Sequence, residues 1–167
     1  MFTQHTLDSA PAASRPMMES TVEHLGHLPQ AVALLAESPE MLRGFLQASA
    51  TFEESTLDPL AREVVVMMIA TRNGCRVCVS MHTGRLRELA AGTELITALR
   101  RGESPADPRL AALRQFTLRV LETAGEVPED EMAEFLAAGF TRRNALEVVL
   151  GIGTYTMSTL ANRLVRA

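Results

Sequence analysis

Apolar positions along this chain recur at three- and four-residue spacing, and the breaks between the runs carry helix punctuation. Pro29 begins a helical stretch, Ala31 to Glu37. Ser38-Pro39-Glu40 supplies an N-cap and a first-turn proline for a second helix through Leu42, Phe45, Leu46 and Ala50. Leu57-Asp58-Pro59 repeats that signature and opens a helix through Arg62-Glu63 into the apolar run Val64 to Ala70, stopped by Asn73-Gly74. A helix over Cys75 to Ala91 follows, closed by Gly92 as its C′ glycine. Thr93 to Arg101 is short and ends at Gly102. Asp107-Pro108 starts the next, with Leu110, Leu113, Phe116, Leu118 and Leu121 inward and an end near Gly125. Pro128 to Ala138 is short and acidic at its start, as the helix dipole favours. Thr141 opens a last long helix to about Val165.

No segment alternates as a half-buried strand does. Val64 to Ile69 would pass for a buried strand in isolation, but its Pro-capped start and the lack of a turn signal before Asn73 make it a helix apolar all round. Such a helix is buried in a core or in an oligomer interface. The pattern therefore predicts an all-α helical bundle. Residues 1–15, mixed and polar with Pro11, read as an N-terminal arm, and residues 16–167 as a single helical domain.

Composition narrows the function classes. The 167 residues suit one domain, and 47% hydrophobic with 22% charged residues is a globular balance. Aromatics are only 4%, with no Trp, so Leu, Ala, Val and Met must fill the core, which favours packed helices over a β-sandwich. The net charge is −4, and no basic face with interleaved aromatics exists to bind nucleic acid. No apolar run approaches the ~20 residues needed to span a bilayer. Met1 to Arg15 has neither a basic start nor an apolar h-region, so no signal peptide is expected and the chain is placed in the cytoplasm, where thiols stay reduced.

That placement makes the two cysteines, Cys75 and Cys78, the informative part of the composition: a two-residue gap in a reduced compartment points to redox chemistry or metal binding. At ~100° per residue, Cys75, Cys78 and His82 share one stripe of a helix, with Cys78 one turn before His82. Asn73-Gly74 sets the cysteines in the first turn, where free N–H groups and the helix dipole favour thiolate over thiol. If the chain reverses at Asn73-Gly74, Glu63 lies ten residues back from Asn73 and His82 eight forward from Gly74, at nearly the same height on two antiparallel helices. Glu63 then reaches His82, and His82 reaches Cys78 directly or through one water. This is a carboxylate–imidazole–thiol relay of the kind that activates a nucleophile. Cys78 is the more reactive thiol on this reading.

Two other readings use the same residues. Two Cys, one His and one Glu make a possible zinc set, although no second C-x-x-C or H-x-x-H pair is present to complete a structural zinc site. The pair also suits a non-enzymatic redox sensor or disulfide-bearing interaction protein. A thioredoxin-like setting would place C-x-x-C after a strand in a βαβ unit, which this pattern lacks. His5, His24 and His27 have no cysteine or acidic cluster at useful spacing.

The pattern E-x11-C-x2-C-x3-H, as Glu63, Cys75, Cys78 and His82, resembles that of the AhpD-like alkylhydroperoxidase proteins of the carboxymuconolactone decarboxylase superfamily. Leu57 to Glu63, Asn73 to Thr83, the lead-in Ser38 to Leu42 and the closing Ala145 to Leu164 are similar to the group's peroxidase-related members. The resemblance covers most of residues 16 to 165. It implies an AhpD-like all-α fold, a homo-oligomer, commonly a trimer or hexamer, and a peroxidase cycle with no cofactor and no metal. It implies that Cys78 attacks peroxide, that Cys75 resolves the sulfenic acid as a disulfide, and that Glu63 and His82 relay protons. An external thiol or dithiol then restores the pair. The best-known members carry a second His just before the second cysteine, where this chain has Val77. Decarboxylase members lack the C-x-x-C pair.

Overall fold

The computed structural model describes residues 2–167. Among these residues the regular structure is helical, in the order α1 Arg15–Leu25, α2 Gln30–Leu35, α3 Pro39–Glu53, α4 Pro59–Arg72, α5 Arg76–Glu88, α6 Thr93–Arg101, α7 Pro108–Glu122, α8 Glu129–Ala137 and α9 Arg142–Val165. The capping chemistry read from the sequence sets several starts. Ser38 Oγ accepts from the Met41 N–H, an Asp58 carboxylate oxygen accepts from the Ala61 N–H, and Asp107 caps α7 in the same way. Thr141 and Asn144 form a reciprocal capping box at the head of α9.

Two features differ from the sequence pattern. Helix α1 has no counterpart in it, although Pro16 at the first turn and left-handed Gly26 at the C-cap frame it. Its apolar positions are too sparse to announce a period, and only Met18 is fully buried. Gly92 does not close α5. That helix ends at Glu88, Ala90 takes the left-handed conformation at φ 55°, and Gly92 is extended as the N-cap of α6. The Ala91 N–H to Leu86 C=O bond closes the turn, so it forms around alanine in spite of the Cβ penalty.

Helix α4 is the axis of the molecule, in contact with α5, α6, α7 and α9. Every residue from Val64 to Ala70 is buried by the chain itself. An oligomer interface is therefore not needed to cover this helix. Close approach of α9 to α3 and α4 occurs at Gly151, where a Cβ would lie 2.7 Å from Phe52 Cε2 and 3.1 Å from Val65 Cγ1. Gly153 faces open space.

On α7, Leu110, Leu113 and Phe116 are buried, and Thr117 and Val120 complete the inward face while Leu118 is half-buried. Thr117 is tolerated there because its hydroxyl donates to the Leu113 carbonyl at 2.7 Å. Few aromatics serve this core, and three of them stack in series as Phe116, Phe135 and Phe140 with centroids 4.1 and 4.7 Å apart. Residues 5–14 lie against α2 and α1, with Ala10 buried beside Met18 and Leu35 and the Ser14 hydroxyl donating to the Ala36 carbonyl. Among the described residues no helix is long and apolar enough to cross a membrane.

Candidate active site

The α4–α5 turn builds the site. Asn73 ends α4, Gly74 takes φ +64°, and the Cys75 N–H bonds back to the Ala70 C=O while the Gly74 N–H bonds to the Thr71 C=O. This is a Schellman closure, and it needs the conformational freedom of glycine at position 74. The residue that completes it, Cys75, is at once the N-cap of α5. The chain thus reverses within two residues, and α5 returns antiparallel to α4. The turn is pinned to α9: Asn73 Nδ2 donates to Thr159 Oγ1 at 2.8 Å, and an Arg163 guanidinium N–H donates to the Asn73 carbonyl at 2.5 Å.

The antiparallel return brings Glu63 and His82 together. His82 Nδ1 lies 2.8 Å from Glu63 Oε2, with both residues buried, at 8% and 5% exposure. An Nδ1–H donated to the carboxylate fixes the tautomer and leaves Nε2 as the basic nitrogen. Tyr155 meets the imidazole edge-on, with ring centroids 5.4 Å apart and planes at 85°. Burial raises the Tyr155 phenol above its usual value, outweighing the hydrogen bond it shares with Ser49, so the hydroxyl stays neutral. His82, Tyr155, Phe45, Met81 and Leu25 line a cleft of about 470 Å³ that is open to solvent.

Cys75 and Cys78 are joined as a disulfide, and both are buried, at 1% and 3% exposure. The polar contact to Cys78 Sγ comes from α9, not from His82: Asn162 Nδ2 donates to it at 3.4 Å. Asn162 is buried, and its Oδ1 has no hydrogen-bond partner. The sequence reading missed this residue. Nothing local marks it, because it lies 84 positions from Cys78 and reaches the sulfur only through the packing of α9 on the α4–α5 hairpin.

Of the four expected site residues, the structure thus joins Glu63 to His82 and Cys75 to Cys78 in two adjacent pairs. Among the described residues no group of three or more His, Cys, Asp or Glu side chains is arranged to hold a metal ion. His24 and His27 border the His82 cleft, and His5 pairs with Glu37 away from it.

The chain is similar over nearly its whole length to solved structures of peroxidase-related proteins. With an uncharacterised peroxidase-related protein from Ralstonia eutropha, described as an alkylhydroperoxidase AhpD core, it shares 22% identity at a TM-score of 0.84, over 98% of this chain and 88% of that one. With a peroxidase-related protein from a Silicibacter species it shares 23% identity at a TM-score of 0.80, over 98% and 90% of the two chains. A protein of unknown function from Agrobacterium tumefaciens matches at 22% identity and a TM-score of 0.62, over 77% of this chain and 88% of that one. No curated protein matches the sequence. The model of the carboxymuconolactone decarboxylase family matches residues 36–118. That segment contains both helices that carry Glu63, the cysteine pair and His82, and it places the chain in the carboxymuconolactone decarboxylase family.

Proposed function

We propose that the protein is a thiol-dependent peroxidase that reduces hydrogen peroxide or organic hydroperoxides through the Cys75–Cys78 pair. The observation that carries this reading is a disulfide in the first turn of α5 beside a buried carboxylate–imidazole pair on the same hairpin. The Cys78 thiolate attacks one peroxide oxygen and the O–O bond breaks. The departing oxygen takes the proton that the Cys78 thiol gave up, with His82 as the relay that holds it in between, and leaves as water or an alcohol. Cys78 becomes a sulfenic acid. The Cys75 sulfur then attacks Cys78 Sγ, hydroxide leaves and is protonated to water, and the disulfide forms. An external thiol or dithiol supplies the two electrons that reopen it. The cytoplasm furnishes such thiols, and the cycle needs no cofactor.

The face of α9 turned away from the core supports assembly into a homo-oligomer. Leu146, Val149, Gly153, Met157, Leu160 and Leu164 follow three- and four-residue spacing along it, and Leu146 and Leu164 are 73% and 70% exposed. A second copy of this chain, in a trimer or hexamer, covers that stripe on our reading.

Peroxide consumption in the presence of dithiothreitol, with thiols counted before and after peroxide, tests the activity. Two thiols per chain should be lost on oxidation and regained on reduction. Cys78→Ser should abolish turnover, and Cys75→Ser should leave Cys78 trapped as a sulfenic acid. Reversible loss of two thiols without peroxide turnover would make the protein a redox sensor instead of an enzyme. A sulfenic acid on Cys75 in the Cys78→Ser protein would reverse the two roles.

A further inference from the structure

A second cleft, of about 670 Å³, opens on the other side of α5. Arg76, Ser80, Thr83 and Arg87 line it at positions i, i+4, i+7 and i+11 of α5, with Arg100 of α6 and Thr71 of α4 facing them. Gly74 forms its edge beside Cys75. Arg76, Arg87 and Arg100, like several other arginines of the chain, pair with no carboxylate within 4.0 Å among the described residues. The chain carries a net charge of −4. Three uncompensated guanidiniums around one cleft are therefore a local reversal of the overall charge. Arg76 and Arg87 are separated by about 16 Å of helix, so the positive lining extends along the cleft. Its volume suits a small organic ligand, and guanidinium groups select carboxylate or phosphate.

We propose that this cleft binds the reductant and selects anionic thiols, meaning small thiols that carry carboxylate groups. The proposal rests on the dithiol cycle above and names the chemical class that closes it. Cys75 does not itself line the cleft but lies buried behind its edge, between the lining residues Gly74 and Arg76, while Cys78 faces Asn162 on α9. A thiolate held by the arginines attacks Cys75 Sγ as the first turn of α5 opens. The S–S bond breaks, and its electron pair leaves on Cys78 Sγ, where the Asn162 Nδ2–H meets the new charge. A second thiolate attacks the reductant's sulfur in the mixed disulfide. That step releases Cys75 as a thiolate and the reductant as its own disulfide. Two thiols are oxidised, one protein disulfide is reduced, and solvent protons neutralise the released thiolates as their pKa values require.

The test uses the oxidised full-length protein in single turnover without peroxide, so it does not depend on peroxidase activity. The rate of disulfide opening is measured with 3-mercaptopropionate and with 3-mercaptopropionamide. Each is expressed per thiolate and normalised to its rate with a neutral small-molecule disulfide. At low salt the anionic thiol should be favoured roughly tenfold, and the preference should shrink as salt screens the arginines. Arg87→Ala with Arg100→Ala, both remote in sequence from the cysteines, should remove the preference. Lys at both positions should restore part of it. Melting curves that match the parent show that these variants are folded. Equal normalised rates for the two thiols, or a preference that survives in the folded double variant, would overturn the proposal. Absence of peroxide turnover in the separate assay would remove the peroxidase reading and leave this result standing.

Discussion

Asn162→Ala tests whether the helix most distant in sequence from the cysteines controls their chemistry. Asn162 donates to Cys78 Sγ at 3.4 Å in a setting where both residues are 3% exposed, so no water is at hand to replace the bond. A hydrogen bond to a charged group contributes about 1.5–3 kcal/mol. Spent on the thiolate and not on the thiol, that is roughly one to two pKa units. Loss of the amide should therefore raise the Cys78 thiol by that amount. Asn162→Asp should raise it further, because a carboxylate would then face the thiolate. The measurement is the ultraviolet absorbance of the thiolate against pH in a Cys75→Ser background, where Cys78 is the only thiol. The stability cost of Asn162→Ala should be small for a buried polar deletion, since its Oδ1 already lacks a partner. An unchanged titration midpoint in a folded Asn162→Ala protein would refute the reasoning: the contact would then be packing without electrostatic consequence.

The remaining predictions concern the relay, the core, the acid limb and assembly. Glu63→Gln and His82→Ala should each slow peroxide reduction by ~10²–10⁴-fold, and the double variant should lose little more, because the pair acts as one unit. Losses that multiply would show independent action. Gly151→Ala sets a Cβ 2.7 Å from Phe52 and should cost about 1–3 kcal/mol in urea unfolding, with partial recovery when Phe52→Leu makes room. Glu147 is buried, which raises its carboxyl, but the Thr56 N–H, the Thr56 hydroxyl, Asn144 and Arg143 outweigh burial and hold it below the usual carboxylate range. A lowered folded value gives stability that is present above the unfolded value and lost as pH falls through the folded one. Unfolding midpoints of Glu147→Gln should therefore fall less steeply than the parent's below about pH 4.5. Leu146→Glu with Leu164→Glu should reduce the mass in light scattering toward the 18.2 kDa of one chain, and a parent already at that mass would rule the oligomer out.

Much of this architecture could be read from local signals. Ser38, Asp58, Asp107 and Thr141 each cap a helix start, and Gly102 ends α6 in the left-handed conformation. The Glu63–His82 contact followed from counting residues about a single turn, because a reversal at Gly74 fixes the register of two helices to within about a residue. What stayed hidden depends on packing. Gly92 looked like a C′ glycine, but Ala90 could take that place at a modest steric cost, leaving Gly92 to start α6. The seven-residue apolar run in α4 fitted a core or an oligomer interface equally, and four neighbouring helices of the same chain cover it. Gly151 serves this internal cover, since it lets α9 approach Phe52 and Val65 closely. Asn162 and Arg100 carry no spacing motif, because they meet the α4–α5 hairpin only in three dimensions, and the stripe of Arg76 and Arg87 lines a cleft only once α6 packs beside α5.

The geometry of α5 sets two clefts on opposite sides of one short helix. Ser80 and His82 are two residues apart and so lie about 200° apart around the helix axis. One face delivers His82 to an aromatic-lined cleft and to Glu63, while the opposite stripe delivers Arg76, Ser80 and Arg87 to the basic one. The cysteines occupy the first turn, on the His82 side of the helix by the same count, and Asn162 reaches Cys78 from α9. On the proposed cycle peroxide reacts at Cys78 and the reductant at Cys75, which it reaches past the cleft edge at Gly74 and Arg76 as the first turn opens. Placing a C-x-x-C pair at the N-cap and third residue of a helix keeps the two sulfurs close enough to bond and sets Cys78 against Asn162 of α9.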